Sequence, residues 1–165
     1  LFLCISLYSM LPAYSQSGEH AVFLGLPLGG DLETFVDSLE DKGYEVQTMS
    51  ETTASFTGMF DGVQCIIEVH ATPKSHTVHQ VSVCFSEFME NEVARMLKYR
   101  QIKKQLRRKY SKWDYRREKA LDEWSSTFAR ISLGTRRLPG QQHKTLYVWW
   151  QDRAGWETLQ RELGE

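Results

Sequence analysis

The sequence has few cysteines, almost no net charge and no long apolar run, and each absence excludes a class of protein. Three cysteines in 165 residues are too few for a fold stapled by disulfides. A formal net charge of −1 provides no overall field that would attract nucleic acid or a membrane surface. The longest apolar run falls short of the ~20 residues that a transmembrane helix needs. Common nucleophile, metalloprotease and phosphate-loop motifs are missing as well, which favours a non-enzymatic globular domain.

Residues 1–15 have the composition of a signal peptide. The first dozen residues are almost wholly apolar, and Ala13-Tyr14-Ser15 places small residues where a signal peptidase reads. We therefore predict cleavage between Ser15 and Gln16, and a periplasmic or secreted protein. Residues 16–165 are then one domain, because roughly 150 residues suffice for a single hydrophobic core.

Hydrophobic periodicity in the mature chain is typical of an α+β fold. Asp31 caps a predicted helix that ends at Lys42-Gly43. Four strands are predicted next, over residues 44–49, 54–60, 63–71 and 78–85. A long helix follows from Asn91 to about Trp113, with Met96, Tyr99, Ile102, Leu106, Tyr110 and Trp113 directed at the sheet. Two strands over residues 127–133 and 145–150 and a helix over residues 154–163 complete a single-domain antiparallel β-meander with helices packed on one face.

Two details of this fold depend on local signals. Asp61-Gly62 is the strongest hairpin signal in the chain, and a two-residue turn there pairs Gly58 with Cys65. That register directs Cys65 into the core and Cys84 away from it, so we expect no disulfide between them. Residues 114–123 are highly charged and are compatible with a continuation of the long helix.

Several segments together resemble a known family. They are Phe23-Leu24-Gly25-Leu26-Pro27-Leu28, a helix with Phe35, Leu39 and Gly43, Phe56-Thr57-Gly58-Met59-Phe60, Cys65-Ile66-Ile67-Glu68-Val69, a strand ending in Val83, and a helix ending near Lys109-Tyr110. Across residues 22–112, with a weaker echo in Tyr147 to Asp152, the pattern resembles small secreted proteins of uncharacterised function from Bacteroidetes-type bacteria. Residues 114–144 depart from it. The resemblance implies a fold and export, and it brings no catalytic residues.

A helix on an antiparallel sheet is also similar to the building block of β-lactamase-inhibitor-like domains and of small outer-membrane assembly lipoproteins. This second similarity concerns the fold alone, and a fold does not determine a function.

The histidines and cysteines are the candidates for chemistry. His70, His76 and His79 bracket a turn between two strands, and Glu68 is the nearest carboxylate. A transition metal usually needs three or four such ligands in fixed geometry, so we predict no metal and no other cofactor. A periplasmic hydrolase that uses Glu68, His70 or His79 stays an alternative, provided that these side chains converge.

Two surfaces are candidates for binding. The long helix is strongly basic, with Arg100, Lys104, Arg107 and Arg108 among its cations. This charge is either a solvated face balanced by the acidic segment 31–61 or a docking surface for an anionic partner.

The second candidate surface is aromatic. Tyr147 and Trp149 share one face of a predicted strand, opposite Leu146, Val148 and Trp150. An exposed aromatic pair is suited to stacking against sugar rings, although aromatic side chains on strands more often belong to a core.

These patterns favour an exported, non-enzymatic binding or envelope-interaction module. Its expected partner is an envelope protein, an anionic glycan or a lipid headgroup, and nucleic acid is not expected. A glycan-binding protein that uses Tyr147 and Trp149 is the alternative within the class of binding proteins, and the hydrolase is the enzymatic one.

Overall fold

A computed structural model describes residues 20–85, 91–137, 140 and 142–164. The predicted signal peptide lies outside the described residues. The strands described, in chain order, are β1 (Val22–Phe23), β2 (Leu26–Pro27), β3 (Glu45–Met49), β4 (Thr53–Phe60), β5 (Val63–Ala71), β6 (Val78–Phe85), β7 (Asp114–Glu118), β8 (Leu121–Ser125), β9 (Ala129–Arg137) and β10 (Lys144–Asp152). The helices described are α1 (Leu32–Glu40), α2 (Glu92–Lys109) and α3 (Arg153–Gly164).

Eight of these strands form one antiparallel sheet in the order β3-β4-β5-β6-β10-β9-β8-β7, and β1 pairs with β2 in a separate hairpin. The large sheet consists of two four-stranded meanders that join where β6 pairs with β10. α1 precedes the first meander and α2 precedes the second. The prediction of a single-domain α+β fold with an antiparallel sheet is confirmed.

The hairpin between β4 and β5 has the predicted register. Gly58 pairs with Cys65, and Asp61 and Gly62 both have positive φ, as a tight two-residue turn requires. No larger residue fits at Gly58, because a Cβ there would lie 2.5 Å from the ring of Tyr44. Cys84 pairs with Ile66, the neighbour of Cys65 along β5, so the two thiols lie on opposite faces and are free.

The predicted first helix is confirmed together with its caps. The side chain of Asp31 accepts a hydrogen bond from the backbone N–H of Thr34 at 3.2 Å, which satisfies one of the free donors of the first turn. Gly43 follows the helix with a φ of 87°. The buried side chains of α1 are Leu32, Phe35, Val36 and Leu39.

One face of the sheet, called here the inner face, carries a single hydrophobic core. Leu39 of α1 and Ile102 of α2 belong to the same buried cluster as Ile67 and Val148 of the central strands. The opposite face is called the outer face. α3 contacts β6 and β10, and its approach is close because a Cβ on Gly155 would lie 2.9 Å from the side chain of His79.

The buried carboxylate of Asp152 fixes the start of α3 to the rest of the core. It accepts hydrogen bonds from the backbone N–H groups of Ala21 and Gly155, both at 2.9 Å. A single side chain therefore satisfies a donor at the start of the first hairpin and a donor in the first turn of α3.

The expectation that residues 114–123 continue the long helix is wrong. They form most of a hairpin, β7 and β8, whose turn contains Lys119 with a φ of 53°. β8 alternates buried Asp122 and Trp124 with partly exposed neighbours, a period of two that a helix cannot present. β7 is an edge strand with four charged residues among five, and charged side chains on an edge oppose pairing with another chain. The second half of the sheet therefore has four strands, and not two.

The predicted inward stripe of α2 is wrong at Met96 and otherwise correct, since Tyr99 packs against the core. Ile102 and Leu106 are buried, and Tyr110 continues them beyond the helix. Met96 is exposed, and the buried residue in the first half of α2 is Lys98. The reason is that an aspartate in the turn between β4 and β5 provides an ionic partner at that position.

Candidate functional site

Six of the eight basic residues of α2, all except Arg95 and Lys109, divide into two sets according to their direction. Lys98 and Lys103 point toward the sheet. Lys98 is only 6% exposed, and its Nζ lies 2.7 Å from the Oδ2 of Asp61, the last residue of the acidic segment. Lys103 lies 2.8 Å from the Oδ1 of Asp122 on β8. These two cations are neutralised inside the molecule and are not available to a partner.

Asp122 is the centre of the contact between α2 and the β7–β8 hairpin. Its fully buried carboxylate accepts hydrogen bonds from Lys103, from the Tyr115 hydroxyl at 2.5 Å and from the Tyr99 hydroxyl. Burial alone would raise the pKa of Asp122, but these hydrogen bonds outweigh it and hold the pKa below its usual value. The carboxylate is therefore ionised at neutral pH and fixes the orientation of α2.

The second basic set points away from the sheet. Arg100, Lys104 and Arg108 are exposed and recur every four residues, which places them on one face of the helix. None of the three forms an ion pair with any residue that the structure describes. Arg107 lies beside them, with its guanidinium 4.7 Å from the centre of the Tyr115 ring. The structure thus brings the four predicted basic residues together.

Three large apolar side chains occupy the same face at the start of α2. Val93 is 62% exposed, Met96 44% and Leu97 58%. We refer to one surface, the α2 outward face, that consists of Val93, Met96, Leu97, Arg100, Lys104, Arg107 and Arg108.

The apolar part of this face was missed from the sequence. Val93 and Ile102 are about two and a half helical turns apart, so the apolar residues of the first and second halves of α2 face opposite ways. This change of phase within one helix was the available signal. A single apolar stripe predicted for the whole helix places Met96 inward, whereas Met96 is exposed.

The aromatic pair lies on the outer face, as its position in the strand predicts. The rings of Tyr147 and Trp149 stack with centres 4.5 Å apart and planes 5° from parallel, and Arg136 lies 5.3 Å from the Tyr147 ring. Tyr147 is only 8% exposed and Trp149 is partly exposed. The ring of Tyr147 lies over Gly134, where a Cβ would come within 2.8 Å of its hydroxyl. The pair is therefore a packed stack, in which each ring covers a face of the other.

The histidines and Glu68 do not form an acid–base pair. The ring centres of His70 and His79 are 6.5 Å apart, and the described hydrogen bond of Glu68 comes from the Ser82 hydroxyl at 3.4 Å. Burial lowers the pKa of His70, and burial followed by the proximity of His70 lowers the pKa of His79 to about 4. Both imidazoles are therefore neutral near pH 7.

The remaining candidates for chemistry are separated from this pair. His76 lies near the backbone carbonyl of Glu51, with its Nδ1 2.8 Å away. Burial raises the pKa of Cys84 to about 11, so its thiol is protonated. Within residues 20–85, 91–137, 140 and 142–164, no three His, Cys, Asp or Glu side chains are grouped as metal ligands.

Comparison with known proteins returns no match to a family model, to a curated protein or to a solved structure. The resemblance to small secreted bacterial proteins therefore stays a prediction. In the part of the chain that the structure describes, no helix combines the length and the apolar character needed to cross a membrane.

Proposed function

We propose that this protein is an exported, non-enzymatic interaction module that binds an anionic partner through the α2 outward face. The observation that carries the proposal is the division of the basic residues of α2. Lys98 and Lys103 each have a carboxylate partner, whereas Arg100, Lys104 and Arg108 have none among the described residues.

The charge of this face is local, which favours recognition over non-specific attraction. The whole chain has a formal net charge of −1, so a distant anion experiences little overall field. At physiological ionic strength, exposed charges act over about 8 Å, so a partner must bring its anionic groups against the helix itself. Arg100 and Arg108 are separated by about 12 Å along the helix axis, which is enough for several anionic groups in a row.

Retention on immobilised heparin tests the proposal. We expect the full chain to bind and to elute with salt, because exposed cations on one face bind a polyanion through interactions that salt screens. The variant R100Q/K104Q/R108Q removes the unpaired row and should elute without retention.

A matched control removes the same charge elsewhere. Lys42, Lys144 and Arg161 are exposed and lie outside α2, and the variant K42Q/K144Q/R161Q has the same net charge as the first variant. The control should be retained like the unaltered chain. If both variants lose retention equally, overall charge and not the α2 outward face is responsible, and the proposal is wrong.

A second candidate is a glycan surface at Trp149, favoured by the partial exposure of that ring beside Arg136 and the Tyr147 stack. Trp156 is also exposed and would contribute to the fluorescence signal. The test therefore uses a W156F background, in which quenching by acrylamide measures the exposure of the remaining tryptophans. Chitin and cellulose oligosaccharides that quench the remaining fluorescence, and no longer do so after Trp149→Phe, would support this candidate. No arrangement among the described residues favours the hydrolase.

A further inference from the structure

Besides its cations, the α2 outward face carries three exposed apolar side chains, and these distinguish between kinds of anionic partner. We propose that the partner is the surface of an anionic lipid bilayer, with Arg100, Lys104, Arg107 and Arg108 on lipid phosphates and Val93, Met96 and Leu97 inserted among the acyl chains. This inference rests on the proposed function and specifies its ligand.

The start of α2 has the reverse of the usual arrangement of apolar and charged residues. Lys98 is buried against Asp61, while its neighbour Leu97 is 58% exposed. Val93 and Met96 are exposed on the same side as Leu97. A contiguous exposed apolar patch marks a surface that contacts another molecule, whereas scattered exposed apolar residues do not.

The patch and the basic row are continuous on one helix face. Leu97 is followed by Arg100 one turn later and by Lys104 after another turn. A helix that lies in a membrane interface needs this combination, because apolar side chains enter about 5–10 Å deep while basic side chains reach the phosphates.

A second copy of the chain is a poorer occupant. The α2 outward face has four cations and no acidic residue. Self-association through this face would remove these cations from water without giving them carboxylate partners, which is costly. Lipid phosphates neutralise the cations, and acyl chains cover the apolar patch.

Co-sedimentation of the full chain with vesicles tests the inference. The two vesicle types are phosphatidylcholine alone and phosphatidylcholine with one third phosphatidylglycerol. We expect binding to the anionic vesicles only. The variant V93S/L97S should lose at least about tenfold in vesicle affinity, because two inserted side chains are replaced by polar ones. It should keep its retention on heparin, because the basic row is intact.

The control M59S changes an apolar residue that is 57% exposed on the outer face of the sheet, and it should bind vesicles like the unaltered chain. Retention on heparin without vesicle binding would overturn the lipid inference and leave the proposed function standing. If the unaltered chain neither is retained on heparin nor binds anionic vesicles, both proposals are wrong. A dimer in size-exclusion chromatography that V93S/L97S converts to a monomer would also overturn the lipid inference, because a second copy would then occupy the patch.

Discussion

Replacing Asp122 with asparagine should destabilise the protein strongly without altering its surface. The change keeps the shape of the side chain but removes the charge that Lys103, Tyr99 and Tyr115 share. Breaking one partner of a buried ion pair costs about 3–5 kcal/mol. We expect about 3 kcal/mol, the lower end, because the Lys103 side chain is 18% exposed and can reach water once it is released.

Urea denaturation followed by circular dichroism measures this loss as a change in the free energy of unfolding. Asp114→Asn is the control, since Asp114 is exposed on the edge strand of the same hairpin, and it should change stability by less than about 0.5 kcal/mol. A loss below about 1 kcal/mol for D122N would refute the role given to this carboxylate. The double variant D122N/K103M should recover part of the loss, because it removes the orphaned cation as well.

The pH dependence of the same variant has a defined sign. The pKa of Asp122 is lowered in the folded protein, so its stabilising effect is complete above the unfolded value of about 3.9 and is lost as the pH falls through the lower folded value. The difference in stability between the unaltered chain and D122N should therefore be constant above about pH 5 and shrink in stronger acid. A difference that grows in acid would contradict this account.

Two further predictions concern α3 and the aromatic stack. Burial lowers the folded pKa of His79 to about 4, and its Nδ1 has no hydrogen-bond partner among the described residues. The contribution of His79 to stability is complete above its unfolded pKa of about 6.5 and should be lost as the pH falls from there to about 4. Urea midpoints measured at intermediate pH should show this decline, and His79→Leu should reduce it to the part that His70 contributes. Gly134→Ala should destabilise by about 1–3 kcal/mol, because its Cβ would meet the Tyr147 hydroxyl at 2.8 Å. Gly30→Ala is the thermal-denaturation control, since no described atom other than those of Gly30 and its chain neighbours lies within 4 Å of the added Cβ. An equal loss in both variants would contradict the packing described.

Local signals were enough to predict the first half of the sheet. The turn at Asp61-Gly62 requires positive φ at both positions, so the register of β4 and β5 followed from two residues. The N-cap at Asp31 and the glycine after α1 similarly depend on neighbours in the chain. Such features are predictable because their causes lie within a few residues.

The second half depended on contacts between distant residues. Lys98 can be buried because the carboxylate of Asp61, 37 residues away, neutralises its charge. The hairpin of β7 and β8 is stable because Asp122 accepts hydrogen bonds from α2. Neither feature was predictable from the sequence, since no local pattern reveals that a carboxylate far along the chain will neutralise a lysine.

The ion pairs of Lys98 and Lys103 with distant aspartates also explain why only part of the candidate site was predictable. Arg100, Lys104 and Arg108 were identified as candidates from their density of charge, but their separation from the neutralised lysines required the three-dimensional structure. Val93 and Leu97 were missed because a helix was assumed to have one apolar stripe. The outward direction of these two residues is the finding on which the choice of a lipid partner depends.

The most direct test of the central claim is a nuclear magnetic resonance titration of the isotope-labelled full chain with a short heparin fragment, followed residue by residue through backbone amide shifts. If the α2 outward face binds anions, the largest shift changes should cluster around Arg100, Lys104 and Arg108 and should disappear at high salt. Shift changes centred on Trp149 and Arg136, or none anywhere, would contradict the claim.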